Sequence, residues 1–174
     1  MSNGEIVLLS LGANIGEREL TLLGALEMIA AIPNVSLVRV SSLYATEPVG
    51  YRDQPEFVNC AALVESRLSP RDLLKRLREI ERELGRVERL KWRQREIDID
   101  IILHGDQVIS THDLTIPHPE MERRLFVLRP LAEIAPEAIH PVLGLTVGQL
   151  LERCPDDGAI RRVSFDGWPG TTAS

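Results

Sequence analysis

The chain has 174 residues, 44% of them hydrophobic and 26% charged, with a formal net charge of −6. That is enough for one domain with its own core and too little for two of comfortable size, and the acidic total argues against a general nucleic-acid binder. No apolar run approaches the ~20 residues of a membrane-spanning helix, the N-terminus lacks the features of a secretion signal, and Cys60 and Cys154 make neither a disulfide framework nor a zinc site. A cytoplasmic monomer is expected.

Glu5 to Leu11 (EIVLLSL) predicts a buried strand ended by Gly12. A loop through Gly16 leads to a helical pattern from about Glu17 to Ile32, stopped by Pro33-Asn34. Val35 to Thr46 predicts one second strand, and Pro48, Gly50 and Pro55 break the loop after it. In a third strand, Glu56 to Glu65, alternation sets Phe57, Asn59, Ala61 and Leu63 on one face and Val58, Cys60, Ala62 and Val64 on the other. Ser69 caps and Pro70 opens a helix whose stripe is Leu73, Leu74, Leu77, Ile80 and Leu84, with Gly85 closing it.

Beyond a charged loop, 86–94, comes the strand IDIDIIL, then a hairpin turn at His104-Gly105-Asp106-Gln107 and a short strand at Val108-Ile109. Pro117-His118-Pro119 starts a helical region that runs, with a break at Pro130, to about Ala135. A last short helix spans Thr146 to Arg153. The domain is expected to cover 1–154, with 155–174 a partly disordered tail. The order β-α-β-β-α-β predicts an α+β, ferredoxin-like (split βαβ) fold, an antiparallel sheet flanked by helices in three layers.

From Ile97 to Ile101, isoleucine alternates with aspartate. In a strand Asp98 and Asp100 share a face, with Cα atoms ~6.5 Å apart, while the isoleucines enter a core. At an effective dielectric of ~20 such carboxylates repel by roughly 3 kcal/mol, and full hydration cuts this severalfold. Two readings stand. Spacing alone slightly favours a solvent-facing sheet edge. The other is a divalent-metal cradle, since Mg²⁺ takes oxygen ligands, often one or two carboxylates plus substrate phosphates. Arg86, Arg89, Lys91, Arg93 and Arg95 just upstream move the balance to the cradle, because cations beside such a pair neutralise a polyphosphate. His118, between two prolines at a helix start, suits either an anion site or a surface cap. Phe126, taken singly, suits the core better than a ligand platform.

Five stretches follow one another between about Ile6 and Leu151: LSLGANIG, SSLYATEPVGYRDQPEFVN, IERELGR, REIDIDIIL and IPHPEMERRLFVLRPLAEIAP. The first and third are weak alone, and the other three at these spacings are specific. Together they resemble the 6-hydroxymethyl-7,8-dihydropterin pyrophosphokinase family of folate biosynthesis. The resemblance implies pyrophosphoryl transfer from ATP to the hydroxymethyl group of a reduced pterin, giving the pterin diphosphate and AMP. It implies two Mg²⁺ ions held by Asp98 and Asp100, with ATP as co-substrate. Arg86 and Arg95 match loop arginines that assist transfer, and Thr115, His118 and Arg124 match ATP contacts. Phe57 and Phe126 match the aromatics that sandwich the pterin, Asn59 a hydrogen-bonding side chain, and Thr46 and Val49 loop residues that offer mainly backbone groups. Small molecules are the implied partners, with no nucleic acid and no membrane.

The loop departs from the family pattern where Arg93-Gln94 follows Trp92 and where Glu88 replaces a commonly basic residue. With Val87, Leu90 and Trp92 as its apolar side chains, it has little to offset the backbone entropy of fixing it, and a lid over the nucleotide is expected. A ferredoxin-like binding module without turnover and a metal-dependent nuclease are the alternative functions.

Overall fold

The computed structural model describes residues 4–14, 17–46, 56–85 and 97–170. Strand β1 (Glu5–Ala13) is apolar on both faces and lies inside a six-stranded sheet. Helix α1 (Arg18–Ala30) leads to β2 (Val35–Val40) and β3 (Leu43–Thr46), and both strands pair with β4 (Phe57–Ser66). Helix α2 (Pro70–Glu83) returns the chain to β5 (Asp98–His104), which pairs with the other side of β1. The order β5-β1-β4-β3, all antiparallel, is that of a split βαβ, ferredoxin-like sheet.

Two cores make three layers. On one face Leu22, Leu26 and Ile29 of α1 and Leu73, Leu77 and Ile80 of α2 meet Leu9, Leu11, Val58, Cys60, Ile97 and Ile99. On the other, helices α3 (Leu125–Ile134) and α4 (Val147–Glu152) bring Leu128, Leu131, Ile134 and Leu150 against Leu8, Ala61 and Ile102. α2 starts as predicted: Ser69 accepts a hydrogen bond from the Asp72 N–H, Pro70 follows, and Gly85 lies beyond the last turn at φ 103°. Among the described residues no helix is long and apolar enough to cross a membrane.

The structure differs from the sequence expectation at five places. Pro117-His118-Pro119 starts no helix: a single 3-10 turn follows at Met121–Arg123, and α3 begins only at Leu125. The expected second strand is split at Ser41-Ser42, where the Ser41 hydroxyl accepts from the Ala61 N–H in place of a ladder carbonyl. His104-Gly105-Asp106-Gln107 is a turn but makes no hairpin; the two-residue strand β6 (Ile109–Ser110) pairs with β7 (Thr115–Ile116) instead of β5. Pro130 sits inside α3 without breaking it, and the helix forgoes the bond its missing N–H would have given the Phe126 carbonyl. Residues 155–170 are woven into the domain. Strand β8 (Ile160–Val163) pairs with β3, the Trp168 indole N–H donates to the Ser41 carbonyl at 2.8 Å, and Asp156 accepts from the Leu125 N–H at the start of α3. That segment has only scattered apolar residues and joins through strand pairing, which leaves little periodic signal.

Candidate functional site

On the α3 face of the sheet, register places the candidate residues in rows. Asp98 lies opposite Gly12 of β1, and Gly12 lies opposite Asn59 of β4. One row along, Asp100 faces Ser10 and Ser10 faces Ala61. Asp98 and Asn59 are thus two strands apart, about 10 Å. A shift in the β1–β5 register near Leu8 leaves Ile102 as an extra residue on β5, and Ile102 and Leu103 then both turn to the second core. The predicted alternation therefore holds through the aspartates and ends just beyond them.

Asn59 is buried and donates from Nδ2 to the Thr46 hydroxyl at 3.1 Å. Thr46 pairs with Phe57 across β3 and β4, so Thr46, Phe57 and Asn59 form one cluster. Phe126 enters from the first turn of α3, which packs on β4 and against the second core. The Arg124 guanidinium lies 5.7 Å from its ring centroid, a cation–π contact. A polar amide on the same strand face as the half-buried Phe57, with the half-buried Phe126 on the helix that packs over that strand, is the kind of lining that holds a flat, hydrogen-bonding heterocycle.

His118 follows the cis Ile116–Pro117 peptide, and its N–H donates to the Ile102 carbonyl at 3.0 Å, tying its loop to β5. Its Nδ1 accepts from the Glu120 N–H at 3.2 Å, which places the proton of the neutral ring on Nε2. Burial pushes the imidazole below its usual value, opposed by the Asp100 carboxylate and reinforced by Arg124. Burial is also the main force raising Asp100; Asp98 adds to it, and His118, Arg78 and Arg124 oppose it. Two half-buried carboxylates that share a face, with Asp100 resisting ionisation, fit a bound cation, and their all-oxygen donor set fits Mg²⁺ completed by phosphate oxygens. Among the described residues no group of three or more His, Cys, Asp or Glu forms a fuller metal cage.

Thr115, on β7, is exposed and makes no hydrogen bond to these side chains. Val49, Arg86 and Arg95, with the expected lid at 86–94, lie outside the described residues. Three features escaped the sequence reading. Asn14, just past β1, is fully buried with neither amide atom bonded among the described residues. Ser10 and Gly12 line the sheet between the aspartates and Asn59. Glu81 is fully buried and accepts from the Ile99 N–H at 2.8 Å. Its signal was present, since a carboxylate four residues after Leu77 falls on the apolar stripe of α2.

A family model described as 7,8-dihydro-6-hydroxymethylpterin-pyrophosphokinase (HPPK) matches residues 8–136. The 2-amino-4-hydroxy-6-hydroxymethyldihydropteridine pyrophosphokinase of Pseudomonas aeruginosa is 42% identical over 155 residues, covering 89% of this chain and 95% of that protein. The protein of the same name from Bacillus subtilis is 45% identical over 129 residues, 74% of this chain and 77% of its own. The folic acid synthesis protein fol1 of Schizosaccharomyces pombe is 39% identical over 165 residues, 95% of this chain, and there the chain spans only 22% of the relative's length. Among solved structures, wild-type Plasmodium falciparum HPPK-DHPS superposes with a TM-score of 0.67 at 16% identity, over 88% of this chain and 45% of that one, a likeness of fold.

Proposed function

The chain belongs to the 7,8-dihydro-6-hydroxymethylpterin-pyrophosphokinase family, and on that premise we propose that it transfers pyrophosphate from ATP to the hydroxymethyl group of 6-hydroxymethyl-7,8-dihydropterin in folate biosynthesis. One observation carries the assignment of the site: a face-sharing aspartate pair and the Asn59–Thr46 cluster lie on the same sheet face, two strands apart. That separation leaves room for a polyphosphate at one end and a heterocycle at the other. The sequence-level alternatives, a binding module and a nuclease, find no support in the relatives named above, which are pyrophosphokinases or folic acid synthesis proteins.

In the proposed reaction the pterin's hydroxymethyl oxygen attacks the β-phosphorus of ATP in line. A bond forms between that oxygen and phosphorus, the bond from phosphorus to the α,β-bridging oxygen breaks, AMP departs, and the alcohol proton is lost to the medium. Asn59 orients the pterin edge while Phe57 and Phe126 hold its faces, which fixes the attacking oxygen. Neutral His118 donates Nε2–H to a phosphate oxygen, and Arg124 adds charge nearby. Arg86 and Arg95, carried over from the family pattern, neutralise charge as it moves onto the leaving phosphate. Asp98 and Asp100 hold Mg²⁺, and the chemistry it supplies when bound is charge neutralisation on the phosphate oxygens. The proposal is completed by Thr115 and the backbones of Thr46 and Val49 as lesser contacts, and by a cytoplasmic monomer that engages no nucleic acid.

Incubation with ATP, Mg²⁺ and the reduced pterin tests this reading: AMP should appear in step with pterin diphosphate. Release of ADP, or no pterin-dependent turnover, contradicts it.

A further inference from the structure

Glu81 and Arg78, one turn apart on α2, bond to the two backbone polar groups of a single residue, Ile99. The buried Glu81 carboxylate accepts from the Ile99 N–H at 2.8 Å, Arg78 Nη1 donates to the Ile99 carbonyl at 3.0 Å, and Arg78 Nη1 and Glu81 Oε2 bond each other at 2.9 Å. Ile99 is the residue between the two aspartates, on a strand that ends the sheet.

In an antiparallel ladder, successive residues turn their backbone polar groups to alternate sides. Ile99 turns its groups outward to α2, so those of Asp98 and Asp100 turn inward to Gly12 and Ser10 of β1. The Asp98-Ile99-Asp100 backbone is therefore gripped from both edges, where a free edge strand would be gripped from one. A fully buried carboxylate is costly unless charge-paired and hydrogen-bonded, and a hydrophobic residue in its place on α2 would extend the apolar stripe. Simple packing does not call for it.

We propose that Glu81, with Arg78, is a positioning residue for cation binding: it holds the Ile99 peptide so that the carboxylates of Asp98 and Asp100 converge on one metal–phosphate group. The proposal rests on the reading of Asp98 and Asp100 as metal ligands. Partners of metal ligands act in this way elsewhere, and their loss weakens metal affinity by about 10–100-fold.

The test uses the full chain with Mn²⁺ as the paramagnetic probe, titrated in the presence of a non-hydrolysable ATP analogue, with pterin affinity measured in parallel. Glu81→Leu should weaken Mn²⁺ binding by about tenfold or more while pterin affinity stays within about twofold. Glu81→Asp, which keeps the charge but withdraws the oxygen from Ile99, should weaken it similarly and serves if the leucine variant does not fold. Glu81→Gln, which retains an acceptor for the Ile99 N–H, should recover most of the loss. Exchange of the Ile99 amide, followed by NMR, should speed up in step with the loss of Mn²⁺ affinity. Faster amide exchange with unchanged Mn²⁺ binding overturns the proposal, as does an equal fall in Mn²⁺ and pterin affinity, which marks Glu81 as core support. Asp98→Asn separates the two levels. If it binds Mn²⁺ like the wild type, the metal reading fails and the proposal with it; if it loses Mn²⁺ while the Glu81 variants do not, only the positioning role fails.

Discussion

Gly12 faces Asn59 directly across β1 and β4, and a Cβ on Gly12 would stand 2.6 Å from Asn59 Oδ1. The glycine is therefore the space in which the Asn59 amide lies. Gly12→Ala should push that amide away from the Thr46 hydroxyl and lower pterin affinity by about tenfold, the cost of one misplaced hydrogen-bonding edge. Asn59→Ala and Phe126→Ala should act in the same direction, each leaving ATP binding much less affected. Calorimetric titration with each ligand separately checks this; equal loss of both ligands would reduce these residues to core support.

Replacing Asp98 or Asp100 by Ala should abolish transfer with the fold intact. The Asp100 carboxyl is raised above its ordinary 3.8, chiefly by burial and further by Asp98. Its folded form thus holds a proton more tightly than the unfolded chain, and its ionisation costs stability as pH rises through that window. At neutral pH, Asp100→Asn should melt at a higher temperature than the wild type when both are metal-free. Thermal melts in the presence of a chelator, set beside AMP production, test both halves.

The C-terminal segment should matter to the fold and to the site. Removing 155–174 uncovers β3, which carries Thr46, and removes the Asp156 cap from the first turn of α3, which carries Phe126. Trp168→Ala alone should cost about 1–3 kcal/mol, from lost burial and the lost bond to Ser41. Urea denaturation gives that figure, and a truncated chain of wild-type stability and pterin affinity would show that β8 is an ornament.

Burial holds His104, His118 and His140 below their usual 6.5. The unfolded chain therefore takes up these protons first, so folding stability is fully present above 6.5 and declines as pH falls below it. His140 makes the clearest case, because its Nδ1 accepts from the Val142 and Leu143 N–H groups and must give up both bonds to be protonated. His140→Asn should flatten the decline between pH 7.5 and 5.5, as read from denaturation midpoints at the two values.

The helix cap at Ser69-Pro70, the alternation through Asp98 and Asp100, and the shared face of Phe57 and Asn59 were legible because each is a local pattern with a fixed period. The break at Ser41, the extra residue at Ile102, the intact helix at Pro130 and the pairing of β8 were not, because a partner distant in sequence decides each of them. Ser41 is placed by Ala61, and Ile160–Val163 by Leu43–Thr46. The same holds in the site. Residue types announced the aspartates and aromatics, whereas Gly12 and Glu81 acquire their meaning only from the strands they face.

The central claim, that two phosphoryl groups move as a unit, is tested most directly by following isotope from ATP labelled in turn at the β- and the γ-phosphorus. With Mg²⁺ and the reduced pterin present, both labels should appear in the pterin product in equal amounts, with unlabelled AMP as the leaving group. Transfer of the γ label alone, or appearance of either label in free phosphate without pterin product, would contradict the account.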